Sequence, residues 1–296
     1  HKIINDYTHE AGVRNLEREI SAVCRAIAAE IAKGRDKKTT VTIKLVGKLL
    51  GPAKFVRETR LKTSKPGVVT GLAYTPAGGE ILHVEATKYP GKGTVLLTGH
   101  IGDVMKESAQ AALSLVRSRA EELGIEPEAF KDTDIHVHVP SGAVPKDGPS
   151  AGVAMFTAIA SLFSNQPVRA DVAMTGEITL RGLVLPIGGL KEKSIAAARA
   201  GIKTVVIPKL NEKDLPEVLS ELKEKIHFVL AGEVDDVLKA ALEKKRSPKP
   251  AAKPKAPRTK AKASTLAKGR QNFGRCRVSF IRNPMHGELV ELNGRA

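Results

Sequence analysis

The sequence predicts an α+β fold in which helices pack on a mixed β-sheet, preceded by a helical segment and followed by a disordered basic tail. Three observations support this prediction. Apolar residues recur every three or four positions over residues 9–34 and 104–123, as in amphipathic helices. Short apolar or alternating runs bounded by glycine and proline separate such stretches, as is typical of strands. Lysine, proline and alanine dominate the C-terminal end, a composition that does not support a packed core.

The first predicted element is a long amphipathic helix over residues 9–34, which ends at Gly34. Its apolar residues share one face of the helix: Val13, Leu16, Ile20, Val23, Ile27 and Ile31. We assign residues 1–40 to this helical unit. Residues 41–65 are charged and predict a connector with one short strand near residues 41–45.

A main domain is predicted over residues 66–243. It begins with three strands whose connecting turns contain glycine or proline, a pattern that favours an antiparallel meander, at residues 67–75, 80–86 and 93–98. A long helix follows over residues 104–123. The alternation of polar and apolar residues in DIHVHVP, residues 134–140, predicts a fourth strand.

The rest of the main domain is predicted to alternate between strands and helices. A helix begins at Ser150 and ends near Ser164, because residues 151–160 are almost all apolar. The later strands are predicted at residues 171–178, 183–187, 204–208 and 227–230, and the later helices at residues 190–200, 215–222 and 234–242. A turn at residues 181–182 separates the first two of these strands.

Composition limits the class of protein. A chain of 296 residues with 42% hydrophobic content can bury a sizeable core, and with 3% aromatic residues that core must be aliphatic. Cys24 and Cys276 lie far apart without the spacing of a metal site, and no signal segment or run of 18 apolar residues is present. We therefore expect a reducing, cytoplasmic location. The chain begins with His1 rather than Met, so we expect it to be part of a longer protein.

The net charge of +16 is concentrated at the C-terminal end. Residues 244–296 hold 15 lysines and arginines against Glu288 and Glu291, a net charge of +13. The proline, lysine and alanine bias over residues 247–257 predicts a disordered tail. Such a tail can bind nucleic acid through phosphate contacts, or it can be a solvated extension that function does not require.

Ser150 lies in the motif PKDGPSAG, at the predicted start of a helix. Free N–H groups and the positive end of the helix dipole at such a position can stabilise a developing oxyanion. Asp147 is a candidate cap for the same helix. The alternative for an isolated serine after proline is that Ser150 is itself only a capping residue.

Lys193 follows Ser150 by 43 positions, in the motif GGLKEK. The apolar residues around it on the predicted helix can desolvate its amine and lower the pKa, namely Leu190, Ile195, Ala197 and Ala198. A neutral amine can remove the proton of a serine hydroxyl, so the two motifs predict a Ser-Lys dyad. The alternative is a surface lysine, which is the more common role of lysine on an amphipathic helix, and Lys191 is expected to face solvent.

The motifs PKDGPSAG, DVAMTGEITLRGLVLPIGGLKEK and GIKTVVIP resemble the proteolytic domain of the Lon family continuously over residues 134–208. The resemblance implies that Ser150 is the nucleophile and Lys193 the general base, with acylation followed by deacylation by water. It implies that Thr175 orients the lysine amine. Asp147 matches a family carboxylate near the site and is interpreted as a modulator of Lys193, with a helix cap as the alternative.

The N-terminal phrase YTHEAGVRNLEREI resembles the helical lid that closes the AAA+ ATPase module preceding this protease domain. Arg14 matches an arginine that senses nucleotide in the family. We interpret it as an idle sensor or a surface arginine here, because the chain has no GxxxxGK[ST] loop to hold phosphates. The resemblance implies ATP and Mg for the full-length protein and no cofactor in this chain.

Four polar residues near these motifs have less specific interpretations. His136 and His138 lie on the same face of one predicted strand, but no third ligand has matching spacing, so we interpret them as hydrogen-bonded strand histidines and predict no metal site. Glu177 and Arg181 flank a strand turn, where a charge pair or a subunit contact is favoured over catalysis.

Three hypotheses for function follow. The first is a serine endopeptidase domain of an ATP-dependent protease that degrades unfolded or damaged proteins in quality control, with a homohexamer implied by the resemblance. The alternative is a small-molecule kinase that binds phosphate at the Gly- and Ser-rich helix start. The third is a nucleic-acid binding protein that acts through its basic tail without catalysis, which the sequence supports only as a secondary activity.

Overall fold

A seven-stranded mixed sheet forms the centre of the protein in a computed structural model, which describes residues 1–34, 38–55, 59–140, 146–218 and 220–243. The strands of this sheet are β1 Val68–Thr75, β2 Gly78–Pro90, β3 Val95–Thr98, β4 Thr133–His138, β5 Val172–Met174, β8 Thr204–Pro208 and β9 His227–Ala231. They lie in the order β3-β4-β2-β1-β5-β8-β9. A separate two-stranded sheet contains β6 Glu177–Ile178 and β7 Val184–Leu185.

Eight α-helices lie in the described residues: α1 Lys2–Tyr7, α2 Arg14–Ala32, α3 Ile43–Leu50, α4 Asp103–Ser118, α5 Gly152–Ser164, α6 Leu190–Ala200, α7 Ser220–Lys223 and α8 Val234–Ala241. Short 3₁₀ segments occur at Pro127–Phe130, Pro149–Ala151 and Lys209–Glu217. The predicted class, helices packed on a mixed sheet, is confirmed. Within the described ranges, none of these helices combines the length and the apolar content that crossing a bilayer requires.

Helices cover both faces of the central sheet. Helices α4, α5 and α8 pack on one face, where Phe156, Met155 and Ile159 of α5 are fully buried. Helix α6 packs on the other face against Leu72 and Ile81 of the first two strands. Consecutive residues of β5 point to opposite faces, so Ala173 belongs to the second core and Met174 to the first. The core is mainly aliphatic, as the composition predicts.

The meander prediction is correct for two of its three strands. Strands β1 and β2 pair antiparallel, with Val68 opposite Glu85, but β4 lies between β2 and β3 and pairs in parallel with β3. The side chain of Asp134 stabilises this arrangement, because its Oδ1 accepts hydrogen bonds of 2.8 Å from the backbone N–H groups of Lys92 and Thr94. These bonds hold the connection after β2 against the start of β4.

The N-terminal predictions need three corrections. Residues 41–45 do not form a strand; they enter α3, whose start is capped by the Thr42 hydroxyl, which accepts a 3.3 Å bond from Leu45 N–H. The predicted helix over residues 9–34 is shorter, because the carboxylate of Glu10 accepts the N–H groups of Asn15 and Leu16 and fixes the start of α2 at Arg14. Helix α1 was not predicted.

The amphipathic face predicted for α2 is only partly covered. Val23 is buried, whereas the side chains of Val13 and Ile31 are 69% and 51% exposed. The carboxylate of Glu80 in β2 lies 2.9 Å from His9 Nε2 and joins the segment before α2 to the sheet. The described residues therefore leave part of the apolar face of α2 exposed.

Two predicted helices of the main domain end differently in the structure. The helix predicted over residues 104–123 is α4, which ends at Ser118. A 3₁₀ segment with Pro216 inside it and the short α7 replace the helix predicted over residues 215–222, because proline removes an N–H donor and interrupts an α-helix. The interpretation of residues 244–296 as a disordered tail concerns residues outside the described ranges.

Candidate active site

Lys193 lies on α6, on the side of the helix that the sheet covers. Its side chain is buried, with 2% of its surface exposed, and Leu190, Ala196 and Ala197 are buried beside it. Burial lowers the pKa of Lys193 from 10.5 to about 8, because an ammonium loses hydration in an apolar environment. Lys191 on the same helix is exposed, as predicted. Lys193 is therefore not a surface lysine.

The Lys193 amine donates a 3.0 Å hydrogen bond to Thr175 Oγ1. Thr175 is also buried, and it directly follows β5, where its N–H donates to Val206 O of β8 at 3.1 Å. The bond fixes the orientation of the amine at the carboxyl end of a central strand. A neutral primary amine keeps a lone pair after donating one N–H, so this contact leaves the nitrogen able to accept a proton.

Ser150 lies in the 3₁₀ segment Pro149–Ala151 that leads into α5. Its carbonyl accepts a 2.9 Å bond from Gly176 N–H and a 3.3 Å bond from Thr175 Oγ1. Val153 N–H in turn donates to Gly176 O at 3.0 Å. Residues 149–153, which we call the serine segment, are thus hydrogen-bonded to residues 175–176. Thr175 in that pair also binds the lysine amine.

Thr175 therefore joins the two dyad candidates. Its hydroxyl accepts from Lys193 Nζ and donates to the Ser150 carbonyl. Among the described residues, no hydrogen bond joins Ser150 Oγ to Lys193 Nζ directly. Thr175 thus contacts the amine of Lys193 and the backbone carbonyl of Ser150, and this brings the three residues together.

Two glycines of the predicted motifs permit this close approach. A Cβ at Gly176 would lie 2.7 Å from Val153 Cγ2, and a Cβ at Gly152 would lie 3.1 Å from Ile178 Cγ1. Any larger side chain at residue 176 would separate the segment after β5 from the serine segment.

Asp147 has a different role from the predicted cap of the helix that begins near Ser150. Neither the 3₁₀ segment nor α5 has a side-chain cap. The Asp147 carboxylate instead accepts 2.9 Å bonds from Met105 N–H in the first turn of α4 and from Gly148 N–H. Lys146 forms two backbone hydrogen bonds with residues 100–102, which directly precede α4. This pairing places the Asp147 carboxylate next to the first turn of α4. Asp147 thus ties the serine loop to another helix.

The remaining predicted residues lie outside the Ser150–Thr175–Lys193 group. Thr98 Oγ1 lies 2.8 Å from His136 Nε2 and 2.7 Å from His138 Nδ1, which confirms hydrogen-bonded strand histidines. Within the described ranges, no three His, Cys, Asp or Glu residues are close enough to hold a metal ion. Arg14 is exposed at the first residue of α2.

In the strand turn at residues 181–182, Arg181 is exposed and Gly182 is buried. Among the described residues no ion pair joins Glu177 to Arg181, although a charge pair was one of the two interpretations of these residues. Leu180 and Leu183 are 63% and 47% exposed on the same hairpin. The hairpin flanks the serine segment, since Ile178 contacts Gly152.

Asn211 is a further buried polar residue near the site that no sequence motif indicates; it is 1% exposed and binds Ile187, three residues before the lysine helix begins. Its side-chain amide accepts from Ile187 N–H at 2.9 Å and donates to Ile187 O at 2.8 Å. An asparagine just after a strand has no distinguishing sequence signal, because turns commonly contain asparagine.

Two family models match this chain. The Lon protease (S16) C-terminal proteolytic domain matches residues 40–244, and the Lon protease AAA+ ATPase lid domain matches residues 1–40. The first match includes all of the Ser150, Thr175 and Lys193 region. Neither match supports the kinase alternative.

Curated relatives give the same result. The chain is 58% identical over 253 residues to a Lon protease of Geobacter metallireducens, which covers 86% of this chain and 31% of the relative. It is 54% identical over 243 residues to a Lon protease of Syntrophus aciditrophicus, with 82% and 31% covered. A Lon protease of Desulfosudis oleivorans is 50% identical over 274 residues, with 91% and 34% covered. The chain thus spans about a third of the length of these relatives.

Proposed function

Since this chain belongs to the Lon protease family, we propose that it is a serine endopeptidase domain in which Ser150 is the nucleophile and Lys193 the general base. One observation carries the proposal: a buried lysine with a lowered pKa and a serine segment are hydrogen-bonded to the same threonine hydroxyl. Family membership supports a peptidase, and the dyad is our assignment within it.

In the proposed reaction, neutral Lys193 takes the proton of Ser150 Oγ as that oxygen attacks a peptide carbonyl carbon. The new Oγ–C bond gives a tetrahedral oxyanion, which needs fixed N–H donors. We propose that backbone N–H groups next to Ser150 supply them, since the N–H groups of Gly152 and Val153 at the start of α5 already donate to Pro149 O and Gly176 O. The C–N bond then breaks, and the protonated lysine gives its proton to the leaving amine. Water then adds to the acyl-enzyme carbonyl and loses a proton to Lys193. The Oγ–C bond breaks to release the acid, and Lys193 returns this proton to Ser150 Oγ, which restores the free serine and the neutral amine.

Thr175 has the proposed role of orienting the amine. It holds one N–H of Lys193, and this limits the directions in which the lone pair can point. A correctly aimed base contributes to rate because proton transfer requires hydrogen-bond geometry in the transition state.

The substrates, the energy source and the assembly of the whole protein are proposals from the family. We propose unfolded or damaged polypeptides as substrates, ATP and Mg as the requirements of the full-length protein, and a homohexamer as the assembly. The residues of this chain do not fit a nucleotide site by themselves, because it has no phosphate-binding GxxxxGK[ST] loop and Arg14 is exposed on α2.

The dyad is tested with Ser150→Ala and Lys193→Gln, assayed on an unstructured peptide. We expect each to reduce kcat/KM by at least about a thousandfold, because losing either member removes a proton transfer or the attacking atom. Lys191→Gln is the matched control, since Lys191 is exposed on the same helix. Circular dichroism checks that each variant is folded. If a folded Ser150 or Lys193 variant still hydrolyses the peptide, the assignment of the dyad is wrong.

A further inference from the structure

The hairpin between β1 and β2 presses against the first turn of the lysine helix. A Cβ at Gly79 would lie 2.0 Å from Glu192 O, 2.4 Å from Glu192 C and 2.9 Å from Lys193 N. The backbone of Gly79 therefore contacts the peptide bond that joins Glu192 to Lys193. Its φ is not positive, so space alone, and not backbone conformation, requires glycine at this position.

Tyr74 covers the residue before the helix. It pairs with Gly79 across the hairpin, and its ring lies over Gly189, where a Cβ would be 3.0 Å from Tyr74 Cγ. Gly189 adopts φ +68°, a conformation that begins α6. The Tyr74 side chain is 58% exposed, so its contact with Gly189 does not belong to the buried core.

The start of α6 is also held at Ile187, by the side-chain amide of Asn211. Lys193 N–H closes the first helical turn with a 3.0 Å bond to Gly189 O. The backbone of Lys193 is thus fixed by contacts before it in the chain and by the hairpin beside it.

We propose that Gly79 and Tyr74 are positioning residues, which hold the backbone of Lys193 so that its amine reaches Thr175. This inference rests on the proposed role of Lys193. A side chain at residue 79 would require Glu192 O to retreat by about 1.5 Å to reach ordinary contact distance. A shift of that size exceeds what a 3.0 Å hydrogen bond between Lys193 Nζ and Thr175 tolerates.

The test compares Gly79→Ala with Gly188→Ala. Gly188 lies just before the same helix, is exposed, has no atom within 4 Å of a built Cβ and has no positive φ, so it is a matched control. We expect Gly79→Ala to lower kcat by about 10- to 100-fold with little change in KM, because misplacement by about 1 Å affects the reacting groups more than substrate binding. Gly188→Ala should match the unchanged chain.

A second readout distinguishes positioning from general loss of stability. Loosening the hairpin admits water to the amine, which raises the pKa of Lys193 back toward its ordinary value. The midpoint of the pH dependence of kcat/KM should therefore move to higher pH in Gly79→Ala and not in Gly188→Ala. A loss of folded protein lowers activity without moving this midpoint.

If Gly79→Ala does not fold, Tyr74→Ala and Tyr74→Phe test whether the hairpin positions Lys193. Because Tyr74 is largely exposed, both variants should fold. We expect Tyr74→Ala to show the same lower kcat and shifted midpoint to a smaller extent, and Tyr74→Phe, which keeps the ring over Gly189, to retain most activity.

The outcomes separate this inference from the proposed function. If Lys193→Gln keeps hydrolysing peptide, the base assignment fails and positioning fails with it. If Lys193→Gln is inactive while folded Gly79→Ala matches Gly188→Ala, only the positioning role is wrong. If Gly79→Ala does not fold, the Tyr74 variants decide the outcome. Equal kcat values and equal pH midpoints in Tyr74→Ala and Tyr74→Phe would overturn the positioning role.

Discussion

Burial of Lys193 makes the charged form of this residue unfavourable in the folded protein. Lys193 Nζ contacts the Thr175 hydroxyl, and the pKa is lowered by desolvation alone. A general base works best when its pKa lies near the working pH, because it is then both available and basic enough to take the proton. A lysine with a pKa of about 8 meets that condition, whereas an exposed lysine is almost entirely protonated.

The pH dependence of peptide hydrolysis follows from this pKa. Below about pH 8 the amine holds a proton and cannot act as a base, so kcat/KM should rise about tenfold per pH unit at low pH and level off above a midpoint near 8. Steady-state rates measured from about pH 6 to pH 10 test this. A flat profile over that range would contradict a lysine base, provided that the protein stays folded throughout.

At the scale of elements, the site depends on loops and helix ends that belong to different parts of the sequence. Ser150 precedes α5 on one face of the sheet, and Lys193 lies on α6 on the other face. Thr175, directly after β5, contacts the Lys193 amine from one side and the Ser150 carbonyl from the other. The serine loop is anchored to a third helix, α4, by Asp147.

Asp147→Ala should reduce the free energy of unfolding by about 1 kcal/mol, because the first turn of α4 loses a side-chain acceptor. Asp147→Asn keeps an acceptor oxygen, so its free energy of unfolding should fall by less than that of Asp147→Ala. Urea unfolding of both variants measures the difference. The pH profile of Asp147→Asn tests the other interpretation, since removal of a charge that raised the pKa of Lys193 would move the midpoint to lower pH.

At the scale of the whole molecule, residues 1–243 carry a small net charge and the C-terminal 53 residues carry most of the positive charge. Among the described residues, the two cores are formed by side chains between Val69 and Leu242. Peptide hydrolysis and any binding of nucleic acid are therefore expected to depend on different parts of the chain.

Deletion of residues 247–296 tests this separation. We expect the shortened chain to hydrolyse peptide at the same rate and to unfold at the same urea concentration, while affinity for DNA falls and its dependence on salt weakens. Fluorescence anisotropy with a labelled duplex measures the affinity. A shortened chain that no longer cleaves peptide would mean that the C-terminal residues are part of the folded domain.

Local patterns predicted many of the elements of the main domain. The bounds of α6 and β8 agree with the predicted residues 190–200 and 204–208, since each has a clear period and a glycine or proline at its end. Strand β3 shows what a local pattern does not specify. Its sequence indicates a strand but does not specify its neighbour, because β3 pairs with β4 and the bond from Thr94 N–H to Asp134 links residues 40 positions apart.

The sequence by itself determined the residue types of the site and their order: a serine at a helix start, a threonine after a strand and a lysine among apolar neighbours. Only the tertiary structure decided that Lys193 is buried, that Thr175 joins it to the Ser150 segment, and that Asp147 caps α4. The physical reason is that burial and hydrogen-bond partners arise from contacts between segments far apart in the chain, which no local pattern encodes.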